Sequence, residues 1–171
     1  MMQMLKAGGM EILTDNIRKP DEDNPKGYYE FEPVKKIKED QTWLNQAEGK
    51  AVKMVSLLLF DLPLDRSYKI IFMKRKLPEV IASQARMLER QGKKRDPDED
   101  KRLEYLFSKH LEEIEAWLRR QKNIKTLYVN YNDIIKDPVS NARKVNKFLG
   151  NNLNIKKMVE VIDKSLYRQR K

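Results

Sequence analysis

The sequence predicts an α/β fold with a mostly parallel sheet, and three observations carry that expectation. Short apolar runs rich in β-branched and aromatic residues, at Lys69–Met73 and Ile124–Val129, read as buried strands. Each is followed by a segment whose apolar residues recur at helical spacing, and strands alternating with helices belong to a parallel sheet covered on both faces. A chain of 171 residues without cysteine is normally one domain, burying roughly 68 to 70% of the surface its unfolded form exposes, so it needs no disulfides. We therefore expect a single domain over residues 1–171.

Taken in order, Met2–Ala7 reads as the end of a helix closed by Gly8 and Gly9, and Met10–Leu13 as a short strand. Thr14–Glu32 is dense in Asp, Asn, Pro and Gly, the composition of a loop; it ends on Tyr28, Tyr29 and Phe31 with Glu30 and Glu32 among them. Ala51–Val55 is expected to be a strand, and Leu57–Phe60 an apolar turn or short helix before Pro63. The run Lys69–Met73 ends in Lys74, Arg75 and Lys76. Pro78 then fits the first turn of a helix, Val80, Ile81, Gln84, Met87 and Leu88 keep helical spacing, and Gly92 marks the stop. A strand that ends in arginine and turns directly into a helix makes an anion site, because the cationic side chain and the helix's unpaired amides converge at the sheet's carboxyl edge.

Residues 92–100, GKKRDPDED, form a charged connection whose acidic half favours the start of the next helix, which runs to about Gln121. Its stripe of Leu103, Leu106, Phe107, Leu111, Ile114, Trp117 and Leu118 is expected to be core. His110, the single histidine, falls on this helix as a surface or core residue. After the strand at Ile124–Val129, Asp137 and Pro138 form an N-cap and first-turn pair, and Gly150 closes the helix they begin. The tail carries a short helix to about Ile162 and then the basic cluster Arg168, Arg170 and Lys171.

Lysine and arginine number 36 against 26 acidic residues, a net charge of +10, which favours polyanionic partners without choosing among a nucleotide, a nucleic acid and an acidic surface. The cations are scattered among acids, and aromatics do not alternate with them along a strand. Nucleic acid is therefore not the expected partner, although a basic nucleic-acid-binding module is one reading of the charge. The first residues contain no apolar signal core, and nowhere does an apolar run reach the roughly 18 residues of a membrane span. A cytoplasmic protein without a metal site is the expectation.

Several stretches carry a family resemblance. Arg75 at a strand end, Pro78, and Ser83 eight residues after Arg75 form one; Asp23, Asn24, Pro25, Gly27, Tyr28, Tyr29 and Glu30 form a second; GKAVKMVSLLLFDLP around Lys53 is a third; and Tyr131, Asp133, Asp137, Pro138 and the triplet Phe148, Leu149 and Gly150 form a fourth. Together they resemble the bacterial sulfotransferases that use 3'-phosphoadenosine 5'-phosphosulfate (PAPS). The resemblance implies a three-layer P-loop-type fold and transfer of a sulfuryl group from PAPS to an acceptor hydroxyl or amine. It implies that Arg75 and Ser83 hold the 3'-phosphate, with Arg168 and Arg170 helping to close over it; by residue type alone the first pair also reads as a basic strand end with an incidental serine, and the second as a solvated basic tail.

Within that resemblance Glu30 is the candidate general base, since a carboxylate partly desolvated among aromatic rings gains basicity. The same residues also read as a loop pinned by its tyrosines with two solvated glutamates. Lys53 would offset charge developing on the leaving oxygen, or it is a surface lysine on an edge strand. The chain departs from the family in one respect: no glycine flanks a Lys-Ser or Arg-Ser pair, so the phosphosulfate loop and the first strand before it are missing from these residues. Weak or absent transfer is expected, and a non-catalytic nucleotide- or anion-binding remnant that keeps Arg75 and Ser83 is the alternative.

Overall fold

The computed structural model describes residues 1–22, 24–90, 92, 97–163 and 165. A short helix, α1 (Met2–Ala7), precedes a long loop and three 3-10 turns at Glu32–Lys36, Thr42–Asn45 and Ser56–Asp61. Strand β1 (Tyr68–Lys74) follows, then α2 (Leu77–Arg90) and α3 (Pro97–Arg120), which lead to strand β2 (Ile124–Asn130). The chain continues through α4 (Tyr131–Lys136), α5 (Pro138–Leu149) and α6 (Ile155–Glu160).

The two strands pair in parallel from Tyr68 opposite Ile124 to Lys74 opposite Asn130. A parallel pair cannot be closed by a tight turn, and α2 with α3 supplies the crossover it needs. Alternation along the strands divides the core. Phe72 and Ile124 join Val34, Ile37, Trp43, Leu44, Ile114 and Leu118 in one apolar cluster. Ile71, Leu127 and Val129 pack against Met4, Leu5, Ala142, Val145 and Met158 in a second. This is an α/β architecture around a small parallel sheet.

The strand expected at Ala51–Val55 is not formed. Ala51 makes a single parallel bridge with Ile12, its N–H donating to the Glu11 carbonyl at 2.9 Å while its own carbonyl accepts from Leu13 N–H at 3.0 Å. The described residues therefore contain two strands. An apolar run supplies the surface for a strand but not the neighbour it must bond to, and Val55 stands exposed to solvent. β1 itself is half-buried rather than covered throughout: Phe72 is buried, but Lys69 and Met73 reach solvent.

α3 begins with Asp98, Glu99 and Asp100 and ends with Arg119 and Arg120, both complementary to the helix dipole. Its core stripe is shorter than the sequence pattern. Ile114 and Leu118 are 0% and 3% exposed, whereas Leu106 is 48% exposed beside Tyr105 at 68%. Further on, Asp137 accepts from Ser140 N–H at 3.1 Å, and Gly150 ends α5 in the left-handed region at φ 118. Among the described residues no helix is long and apolar enough to cross a membrane.

α1 and α6 approach closely at Gly8. A Cβ there would lie 2.7 Å from Cγ of Met158, a fully buried side chain, and the Gly8 carbonyl accepts from Asn154 N–H at 2.9 Å. Gly8→Ala should therefore destabilise the fold by about 1 to 3 kcal/mol through overpacking. Calorimetry should register this as a melting temperature lower by about 2 to 4 °C for each kcal/mol lost.

Candidate functional site

Because Lys74 and Asn130 are partners in the parallel register, the residues that follow them emerge side by side at the carboxyl edge of the sheet. Arg75 leaves β1 there, and Tyr131 and Asn132 begin α4. The Arg75 Nε donates to Oε2 of Glu79 at 3.0 Å, and the guanidinium carbon lies 5.0 Å from the centroid of the Tyr131 ring. Oε1 of Glu79 accepts from Asn132 Nδ2 at 3.1 Å. Glu79 is 0% exposed, and its place in the first turn of α2 suits a carboxylate. Burial pushes the Tyr131 phenol above its ordinary pKa; the Arg75 charge opposes that shift, while the charges of Glu79 and Asp163 add to it.

Arg75 and Ser83 line one open groove of about 350 Å³ with Val80, Gln84 and Met87. The four α2 residues share a face because they lie three, four and seven positions along the helix from Val80. A guanidinium and an exposed serine hydroxyl at one apolar-walled groove suit a phosphate ester on an organic body.

The loop ending at Phe31 builds a second cluster. Its neck is closed by Thr14 Oγ1 donating to the Glu30 carbonyl at 2.8 Å and by Glu32 N–H donating to Asp15 Oδ2 at 2.6 Å. Tyr29 takes a left-handed φ of 54, an uncommon conformation for a bulky side chain. The Glu30 carboxylate meets two cations where the sequence suggested an aromatic enclosure. Oε1 lies 3.3 Å from Arg18 Nη1 and 3.6 Å from Lys53 Nζ. Lys53 also donates to the Tyr28 carbonyl at 2.9 Å, and the Arg18 guanidinium lies 3.4 Å from the centroid of the Tyr28 ring. Glu30 and Lys53 are thus neighbours, as are Arg75 and Ser83. Asp23, residues 93–96, Arg168, Arg170 and Lys171 lie outside the described residues.

His110 is more than a helix residue. It is half-buried on α3, its Nε2 lies 2.8 Å from Ser56 Oγ, and Phe60 meets the imidazole edge-on at 6.3 Å between ring centroids. Among the described residues, no cluster of three or more His, Asp or Glu side chains could hold a metal ion.

The family model described as Sulfotransferase domain matches residues 39–171, most of the chain. The chain belongs to the sulfotransferase family. Members of such a family move a sulfuryl group from a donor to an acceptor. The matched part of this sulfotransferase-family chain contains Lys53, Ser56, Arg75, Ser83 and His110, while Glu30 and Arg18 precede it. No curated protein and no solved structure matches.

Sequence reasoning missed three features of the candidate site. Glu79 carried a signal, an acid four residues beyond Arg75 and on the first turn of a helix. Arg18 carried none, since its pairing with Glu30 depends on how the loop folds back. The Ser56–His110 contact joins residues too far apart in sequence for any spacing rule to find.

The loop neck should respond to acid. Hydrogen bonds from the backbone N–H of Glu32, and next from that of Ile17, hold the Asp15 carboxyl below its ordinary pKa. A depressed carboxyl pKa contributes stability that is present above the unfolded value, near 3.9, and is lost as pH falls through the lower folded value. Limited proteolysis of the segment 14–32 should accelerate below about pH 4, and Asp15→Asn should remove most of that pH dependence.

Proposed function

We propose that this sulfotransferase-family chain binds PAPS at the groove lined by Arg75 and Ser83 and directs its sulfuryl group to an acceptor hydroxyl or amine. The observation that carries the reading is the meeting of Arg75 and Ser83 at one groove beside the carboxyl end of β1. The guanidinium offers paired donors to a phosphate, and Ser83 adds a hydroxyl; the residues present therefore fit the 3'-phosphate of PAPS. Arg168 and Arg170 are proposed as further cations for that group. A single domain with the three-layer P-loop-type fold and a cytoplasmic location belong to the same reading.

When bound, PAPS supplies an activated sulfuryl group whose sulfur–oxygen bond to the 5'-phosphate breaks as the acceptor's oxygen or nitrogen bonds to sulfur. Glu30 accepts the proton the acceptor loses. Lys53 places its ammonium to offset the negative charge left on the departing phosphate oxygen. Arg18, stacked on Tyr28, keeps the Glu30 carboxylate in place. The Ser56–His110 contact favours a second reading of the proton acceptor, since an imidazole is a general base by type and Ser56 lies three residues beyond Lys53. The 171 residues contain no glycine-rich phosphosulfate loop, so transfer by them alone is proposed to be weak or absent.

Titration calorimetry with adenosine 3',5'-bisphosphate tests the groove. Binding should be lost by about 2 to 5 kcal/mol in Arg75→Ala, on the order of 30-fold or more; equal affinity in wild type and variant would sink the assignment. Where turnover is measurable as release of the bisphosphate, Glu30→Gln should lower kcat about 100- to 10,000-fold. The same loss in His110→Asn with Glu30→Gln unaffected would transfer the base to His110.

A further inference from the structure

Glu79 is a fully buried acid that contacts Arg75 behind the groove, and the proposed chemistry leaves it without a role. Burying a carboxylate is costly unless donors converge on it, and they do so from two chain segments. Arg75 Nε reaches Oε2 at 3.0 Å and Asn132 Nδ2 reaches Oε1 at 3.1 Å.

This arrangement acts back on the arginine. Glu79 takes the Nε edge of the guanidinium, and Tyr131 sits against the same group at 5.0 Å. Among the described residues nothing bonds the two Nη atoms, and Arg75 lines the groove that Ser83 also lines. A guanidinium presents its donors as a rigid fork, so fixing one edge fixes the aim of the other. The side chain otherwise gives up substantial rotamer freedom when it captures an anion, and prior ordering removes that cost from the binding step.

We infer that Glu79 is a positioning residue: it holds Arg75 by Nε so that the free Nη edge is presented to a phosphate ester dianion in the groove shared with Ser83. The inference rests on the reading of Arg75 as the partner of the 3'-phosphate. Asn132 is the other half of the device. Its side chain, delivered by β2, fixes the carboxylate that fixes the arginine delivered by β1.

The test compares adenosine 3',5'-bisphosphate with adenosine 5'-monophosphate, which lacks only the 3'-phosphate, by calorimetry on wild type, Glu79→Gln and Glu79→Asp. Melting temperatures are recorded for each protein. Wild type should prefer the bisphosphate. Glu79→Gln should cut that preference by roughly 10- to 100-fold, the loss that follows when the outer partner orienting a metal ligand is removed, taken here for an arginine and its phosphate, and leave monophosphate affinity unchanged. Glu79→Asp keeps the charge one methylene short and should fall between, and it serves as the test if the glutamine variant does not fold. In an Arg75→Ala background Glu79→Gln should change the preference no further. No preference in wild type would overturn the Arg75 reading. A wild-type preference that survives in a folded Glu79 variant would overturn the Glu79 inference alone. Parallel loss of both ligands with a lowered melting temperature would mark Glu79 as structural and overturn it as well.

Discussion

The parallel register of β1 and β2 is the constraint on which the site depends. In an antiparallel pair the residue after one strand lies beside the residue before the other. In this pair both strands end at one edge, so Arg75 and the Tyr131–Asn132 pair arrive together because Lys74 and Asn130 are partners. Glu79 then closes the cluster from the first turn of α2. A cation, an aromatic face, an amide and a buried acid are brought within contact by backbone geometry rather than by a long side-chain search. Displacing either strand by one residue would turn Arg75 or Tyr131 to the opposite face.

Much of the fold was legible in the sequence where one local rule acted alone. β1, β2, α2 and the long α3 follow from apolar period, α2 with Pro78 and Gly92 at its ends, and the Asp137 and Gly150 caps follow from residue type. The expectation at Ala51–Val55 failed because a strand is a relation between two segments, and among the described residues only Ile12 pairs with it, at one residue. Leu106 kept helical period with Ile114 yet stands in solvent. Periodicity tells which face of a helix is apolar, not how far along the helix the neighbouring layer extends.

The geometry of the candidate site was legible in parts of the same kind. Arg75 and Ser83 could be placed because strand end, turn and helix are consecutive in the chain, so sequence spacing is spatial spacing. Lys53 and Glu30 could be named singly, but their approach to 3.6 Å depends on the loop folding back over Ala51–Val55. Arg18, which shares the Glu30 carboxylate, was invisible for that reason. Ser56 and His110 belong to the 3-10 turn and to α3, and only tertiary packing joins them.

The uneven burial of α3 also bears on how the molecule moves. Its carboxyl-terminal half is sealed by Ile114 and Leu118 and flows directly into β2, while its opening turns carry exposed Tyr105 and Leu106. Local opening costs least where little apolar surface must be uncovered. Amide protection along this helix should therefore fall from the half that carries Ile114 and Leu118 towards the turns that carry Tyr105 and Leu106.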